Sequence, residues 1–587
     1  MPTEEIYCKI TTVMKILLAA VNAKFIHSNL AVYSLRAYAQ SFLDARKGPE
    51  SGGREQPCIL LREYTINQHP DTVLADIYRE HPDMLCFSCY IWNMEYIEKI
   101  LGDVKKILPE TKVWLGGPEV SYDSAQVLQR CPQAAGVMKG EGEETFARLA
   151  AGEPLEGLSG ITYRGKGGQI VENPWRDVMD LNKVPFVYQD MTDFEHRIIY
   201  YESSRGCPFS CSYCLSSVDK KLRFRDLGLV RQELQFFIDR KVPQVKFVDR
   251  TFNCSHEHAM EIWEYLLEHD RGITNFHFEI SADLLNEEEI RLIRRMRPGL
   301  IQLEIGVQST NPRTIKEIRR TMRFDRVAAN VKAVREGRNV HQHLDLIAGL
   351  PWEDVDSFRN SFNQVYALRP EQLQLGFLKV LKGSLMYENR ESYGLRAKSA
   401  PPYEVLGTRW MSYEDLLRLK GVEEMVEVYY NSGQFVRTLP ALEEEFEDAF
   451  ALYDQLAEYY ESRDCRRVSH SRAARYELLL AFAEKEASRR KAEIRELLIW
   501  DYYLRENAKS RPDFAGEGRL SREQIRAFYE QEAKEHRYLE GYEGCDRNQM
   551  RRMTHLERFE VLGCTVLFDY SRRDPLTREA RTVVIAK

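Results

Sequence analysis

Three cysteines within eight positions mark the stretch of this sequence whose residue types and spacing could do chemistry: "ESSRGCPFSCSYCLSS", Glu202 to Ser217, with Cys207, Cys211 and Cys214. Gly206 and Pro208 punctuate it, so it reads as a loop and not as a packed face. It directly follows the strand candidate "RIIYYESS" (197–204). Four chemistries use such thiols. Cysteines pack as small hydrophobes, and Cys211 with Cys214 has CxxC redox spacing. Structural zinc takes four protein ligands, and no CxxC partner lies at zinc-ribbon distance. Cubane iron-sulfur clusters are held by thiolates and have four irons. Three cysteines would leave one iron open, and CxxxCxxC in a loop after a strand points to that arrangement.

The other cysteines read differently. Cys8, Cys58, Cys131, Cys465, Cys545 and Cys564 stand alone and read as buried small hydrophobes, and Cys86 and Cys89 as core residues of an apolar strand. "CSHEH", Cys254 to His258, gathers metal-type residues, but Ser255 reads as the N-cap of the helix that follows.

The elements that must position the triplet follow from apolar periodicity. Residues 1–150 alternate strand candidates (13–21, 58–65, 84–91, 112–117, 135–140) with helical stretches such as 29–43 and 93–108. That alternation predicts a doubly wound parallel sheet, which binds ligands beyond its C-terminal strand ends. "LGGPEVS" and "KGEGEETF" stand there. Residues 151–195, rich in Gly, Pro and Asn, read as a linker with one small hairpin. From 196 to 400 six further strand–helix units predict an α/β partial barrel of TIM type, with chemistry at the C-terminal strand ends. Beyond 401 the long helical patterns 441–462 and 472–507 predict a mostly helical domain closed by strands.

Bulk numbers exclude some classes. At about 150 residues per domain, 587 residues suggest three or four domains. A net charge of -7 gives no global basic field for nucleic acid. No apolar run approaches the roughly 20 residues that cross a bilayer. "MPTEEIYCKITTVMKILLAAV" lacks a signal-peptide pattern, so the expected location is the cytoplasm.

"CPFSCSYC" resembles the signature of radical S-adenosylmethionine enzymes. The likeness continues through "KFVDRTFN", "EISADLL", "EIGVQS" and "DLIAGLPWE", over roughly 197–385. It implies that Cys207, Cys211 and Cys214 hold a [4Fe-4S] cluster whose open iron chelates S-adenosylmethionine. Tyr213 is implied beside the adenine, and Glu279, Gln308, Arg320 and Asp345 around the ribose and methionyl groups. "LGGPEVS" and "KGEGEE" resemble the cobalamin-binding domain found upstream of many such enzymes. That likeness implies cobalamin contacts from Ser88, Gly116, Gly117, Pro118, Glu119, Gly140, Glu141 and Gly142. The Asp-x-His-x-x-Gly loop that ligates cobalt in mutases reads "NAKFIHSNLAV" here, so His27 is expected to pack or hydrogen-bond rather than bind cobalt.

The resemblance as a whole implies a cobalamin-dependent radical enzyme, a methyltransferase acting on an unactivated carbon. Its substrate would be a small molecule or peptide, and its electron donor of flavodoxin or ferredoxin type. Relatives that cyclise or rearrange keep a second outcome open, and a non-catalytic cobalamin or iron-sulfur sensor is the alternative of another class. Methylthiolation of transfer RNA would need a second cluster domain and a basic module, and the sequence shows neither. The C-terminal region resembles an uncharacterised extension on some cobalamin-binding radical enzymes.

Overall fold

A computed structural model of the chain describes residues 13–47, 55–218, 220–487, 489–508 and 510–586. Cys8 and the start of the N-terminal segment lie outside the described residues. The chain divides into two compact units, one made of 1–285, 315–321 and 377–409, the other of 286–314, 322–376 and 410–587.

The first unit opens with a sheet of seven strands: β1 (Lys15–Asn22), β2 (Cys58–Thr65), β3 (Met84–Ser88), β4 (Lys112–Gly116), β5 (Ala134–Met138), β6 (Ile161–Arg164) and β7 (Ile170–Glu172). The order is β2-β1-β3-β4-β5-β6-β7, parallel through β5. β1 and β3 are apolar almost throughout because both faces of the sheet are covered. Helices such as Leu30–Ala45 and Met94–Ile107 form the crossovers. The segment expected to be a linker is a correction. Its hairpin, β6 and β7, continues the sheet antiparallel to β5. The strand order reverses direction between β1 and β3, where a doubly wound sheet opens its ligand crevice.

The same unit holds β8 (Ile199–Tyr201), β11 (Gln244–Phe247) and β12 (Asn275–Ile280), with β11 parallel to both others. A two-stranded antiparallel ribbon, β9 (Ser204–Arg205) and β10 (Arg223–Phe224), brackets the cysteine loop. A small antiparallel pair, β16 (Arg396–Ala397) and β17 (Val405–Gly407), ends it.

The second unit carries β13 (Ile301–Gln308), parallel to β14 (His341–Ala348), which neighbours β15 (Gln372–Phe377) in sheet order. Its C-terminal part is helical, then closes with the antiparallel sheet β18 (Thr554–Phe559), β19 (Cys564–Arg573) and β20 (Ala580–Ala586). Both long helical patterns are broken. The first divides into Thr438–Glu443 and Ala449–Ser462, where Asp448 caps the second helix, and the other into Arg472–Glu486 and Lys491–Arg505. No helix of the described residues is long and apolar enough to cross a membrane.

Candidate functional site

The cysteine loop is pinned at both ends. Before it, the buried Asp249 carboxylate accepts from Ser203 N (2.9 Å), Ser203 Oγ (2.6 Å) and Ser204 Oγ (2.6 Å). His258 Nε2 lies 2.9 Å from Ser203 Oγ, and burial lowers that imidazole to about 4, so it is neutral. Ser255 caps the helix His256–His269, as expected. Gly206 has φ +88, and a Cβ there would stand 2.7 Å from the Lys221 carbonyl oxygen, so a side chain would push β9 off β10.

Cys207 and Cys211 are buried and Cys214 is half-buried. Cys214 N donates to the Cys211 carbonyl (3.1 Å), which closes a turn between the two cysteines. Ser212 N donates to Ile318 O (2.9 Å), and Met386 N donates to Ser212 O (2.8 Å). Its hydroxyl Oγ is buried with no hydrogen-bond partner among the described residues. Arg320 lies on the segment after the helix Pro312–Glu317, not at a strand end as expected. Its Nη1 stands 3.8 Å from Cys211 Sγ and 3.4 Å from the Tyr213 hydroxyl. Burial pushes the Cys211 thiol up, and the guanidinium draws it back toward the thiolate. Cys254 shares this neighbourhood, where burial and Cys207 push its thiol up to about 11.

Glu279, the fifth of six residues of β12, is half-buried in the first unit. Gln308 and Asp345 belong to the second unit. Gln308 is the last residue of β13, at φ +73 beside an irregularity in the β13–β14 register. Its Oε1 is buried with no hydrogen-bond partner among the described residues. A non-glycine residue held at positive φ with an idle buried acceptor is the kind of feature that clusters at functional sites.

Asp345 lies mid-strand in β14, the fifth of eight residues, and not at the strand end. His343 Nε2 is 3.0 Å from its Oδ1, and Glu304 across the ladder brings three ligand-type atoms within 4.8 Å of one another. Sequence reasoning missed Glu304 and His343. The period-2 alternation of "IQLEIGVQ" and "HQHLDLIA" puts both on the Asp345 face and could have found them.

At the C-terminal edge of the first sheet, Ser88 Oγ accepts from Asn29 Nδ2 (3.3 Å). Gly116 is open: a Cβ there would meet only Met138, at 3.6 Å. Gly117 is closed: at φ +111 its Cβ would stand 2.5 Å from the Cys89 carbonyl oxygen. Pro118 starts a one-turn helix, and Glu119 within it is buried. The Glu119 carboxylate accepts from the Tyr403 hydroxyl and lies 3.8 Å from Lys382 Nζ. Gly140, at φ +70, lies under the ring of Trp175, and Gly142 precedes the helix Glu143–Ala150. Glu141 accepts from Arg223 Nη1 (2.7 Å) and from Met179 N (2.9 Å). The Glu119 and Glu141 carboxylates, expected at a cofactor, are therefore engaged within the chain.

His27 packs as expected, with Nδ1 2.7 Å from the Tyr200 hydroxyl. Three exposed aromatics near the C-terminal strand ends were missed. Phe25 (63%) follows β1, Trp92 (43%) follows β3 and stacks on Tyr90 at 4.2 Å, and Trp175 (48%) covers Gly140. Among the lone cysteines, Cys131 and Cys564 are buried, but Cys58, Cys465 and Cys545 are only half-buried.

Comparison with known proteins matches these features to named domains. Residues 57–150 match the B12 binding domain and 201–365 the Radical SAM superfamily. The chain therefore carries a B12 binding domain and a Radical SAM domain, the pairing found in cobalamin-dependent radical S-adenosylmethionine enzymes, which it resembles. Residues 391–578 match a protein of unknown function (DUF4080). The chain is 26% identical over 345 residues to the cobalamin-dependent radical SAM methyltransferase TokK of Streptomyces tokunonensis, covering 54% of this chain and 50% of TokK, about half the relative's length. It is 21% identical over 335 residues to the anaerobic magnesium-protoporphyrin IX monomethyl ester cyclase of Rubrivivax gelatinosus, covering 53% and 59%. The solved radical S-adenosylmethionine methyltransferase TsrM of Kitasatospora setae, with cobalamin and a [4Fe-4S] cluster bound, shares the fold at TM-score 0.53 and 15% identity, covering 67% of this chain and 78% of TsrM.

The cysteine loop lies in the Radical SAM match, and Ser88 and the glycine loops lie in the B12 match. The Cys-loop residues and Arg320 are assembled in one unit.

Proposed function

We propose that this chain is a cobalamin-dependent radical S-adenosylmethionine methyltransferase acting on an unactivated carbon of a small molecule or peptide. The observation that carries this reading is the three-thiol loop with Arg320 beside Cys211, on a chain that also carries a B12 binding domain. The residues fit the groups such enzymes hold. Three thiols suit a cubane with one open iron. The buried Ser212 hydroxyl, next to Cys211, suits a polar ligand. Gly116, where an added Cβ would meet only ordinary contact with Met138, suits close approach of a planar one.

When bound, the cluster would supply the electron that cleaves S-adenosylmethionine, and cobalamin a transferable methyl group. The chain's own residues do the rest. Cys207, Cys211 and Cys214 hold the cluster, and Arg320 pairs with the methionyl carboxylate. The burial of Cys207 and Cys211 keeps water from the reacting centre. An electron donor of flavodoxin or ferredoxin type would dock from outside.

The cyclase relatives favour a second reading, ring closure or rearrangement without methyl transfer. One experiment separates the two. Anaerobically loaded protein is given reductant, S-adenosylmethionine and cell extract as a substrate source. 5'-Deoxyadenosine together with S-adenosylhomocysteine supports methyl transfer. 5'-Deoxyadenosine alone supports the second reading, and neither product from fully loaded protein supports the sensor.

A further inference from the structure

A half-buried ion network joins two loops that the proposed function assigns to different cofactors. Arg205, two residues before Cys207, donates through Nη2 to Glu143 Oε1 (2.6 Å) and through Nε to Glu202 Oε2 (2.8 Å). Its Nη1 is 3.8 Å from Glu141 Oε2. On the paired strand, Arg223 donates to Glu141 Oε1 at 2.7 Å. Glu141 and Glu143 belong to the "KGEGEE" loop after β5, while Arg205 and Arg223 sit on β9 and β10, on either side of the cysteine loop. The Arg205 and Glu143 side chains are 17% and 7% exposed, so solvent screens the pair little.

The sequence between Arg205 and Cys207 has no slack. At Gly206 even a Cβ would not fit beside the Lys221 carbonyl, and Ser203 and Ser204 are held by Asp249. A displacement of Arg205 is thus passed to Cys207, and a displacement of Glu143 to the helix Glu143–Ala150 that it opens.

We propose that Arg205 is a positioning residue that ties the Gly140–Glu143 loop to the strand pair flanking the cysteines, and so fixes the separation between the cobalamin and cluster sites. The tie itself is a property of the chain, and its meaning for the two cofactors rests on the proposed function.

The test compares Arg205→Gln, Arg205→Lys and Glu143→Gln with the wild type. Amide hydrogen exchange on the unloaded chain reads the tie without any cofactor. Arg205→Gln and Glu143→Gln should each speed exchange in both 140–150 and 203–214, by about tenfold or more, the factor carried by one charge-assisted hydrogen bond. Arg205→Lys should restore part of the protection. Acceleration confined to one segment, or none, overturns the tie, and Glu143→Gln keeps that outcome open should Arg205→Gln fold poorly. Electron paramagnetic distance measurement between cob(II)alamin and the reduced cluster then reads its purpose. A broader or longer distance distribution in Arg205→Gln, with iron and cobalamin content unchanged, supports the proposal, and an unchanged distribution overturns it. If the wild type holds neither cofactor, the proposed function fails while the exchange result still decides the tie.

Discussion

Arg320 Nη1 stands 3.8 Å from the Cys211 sulfur, and the same guanidinium reaches the Tyr213 hydroxyl at 3.4 Å. A cation that close favours the thiolate that a metal needs, and its other nitrogens can meet a carboxylate at the open iron. Arg320→Ala should weaken S-adenosylmethionine binding by about ten- to a hundredfold, the range of one charge-assisted contact, while four irons remain. Titration with S-adenosylmethionine and an iron assay check both halves. Unchanged affinity removes Arg320 from the site.

The loop thiols and their neighbour should separate cleanly. The Cys207/Cys211/Cys214 triple Ala variant should hold no [4Fe-4S] cluster after anaerobic reconstitution. Cys254→Ala should hold all four irons, because Cys254 lies outside the Cys207–Cys214 loop, at the end of the turn Phe252–Cys254 before the helix His256–His269. Iron retained by the triple variant would sink the assignment.

Adjacent glycines should behave differently. Gly117→Ala drives a Cβ to 2.5 Å from a backbone oxygen at φ +111 and should lose about 1–3 kcal/mol of stability, read as a lowered melting temperature. Gly116→Ala meets only ordinary contact and should change stability by no more than about 0.5 kcal/mol. If cobalamin lies on that face, Gly116→Ala lowers cobalamin retention all the same. Full retention would place the ligand elsewhere.

His27 should not ligate cobalt. Its Nδ1 meets Tyr200, and burial with Lys24 and Lys246 lowers its proton affinity. The cob(II)alamin spectrum should lack nitrogen superhyperfine splitting from a protein imidazole, and His27→Ala should leave that spectrum unchanged.

Glu353, in the "GLPWE" turn after β14, is fully buried. Its Oε1 accepts from Ser309 Oγ (2.6 Å) and Ser361 Oγ (3.1 Å), and burial raises the carboxyl to about 7. The unfolded chain releases this proton near pH 4.5, and the folded chain holds it to about 7. Stability therefore falls as pH rises through that window, by about 1.4 kcal/mol per pH unit at most. Glu353→Gln should remove this group's share of the slope, which urea melts at pH 5 and pH 7.5 would detect.

Much of this was legible where a pattern is long or a spacing rigid. The strand predicted at 13–21 is Lys15–Asn22, and the helix predicted at 93–108 is Met94–Ile107. Both carry a full run of apolar positions. β6 and β7 have four and three residues with glycines between, enough to suggest a hairpin but too short for periodicity to show that β6 pairs with β5 and carries β7 with it. The helical run at 441–462 hid its break because Asp448, an exposed acid by pattern, turns back to cap the second helix. The cysteine loop was legible because thiol spacing is itself the chemistry. The place of Arg320 was not, since it comes from a connecting segment whose approach to Cys211 is set by tertiary packing. The partners of Glu119 and Glu141 were hidden for a related reason: a motif names a loop, and the fold decides that both carboxylates meet groups within the chain.

The β6–β7 hairpin also decides where this chain can be cut. It lies along β5, the last parallel strand, and supplies partners for that strand's outer row of amide and carbonyl groups. The buried Lys139 Nζ is held there as well, by Glu172 (2.8 Å) and the Asn173 carbonyl (2.9 Å). A fragment ending at residue 150 would leave an unsatisfied lysine and a bare parallel edge, the kind of surface on which chains self-associate. A fragment carried on past Asn173 would keep both covered, and this is the length at which the cobalamin half could be handled alone.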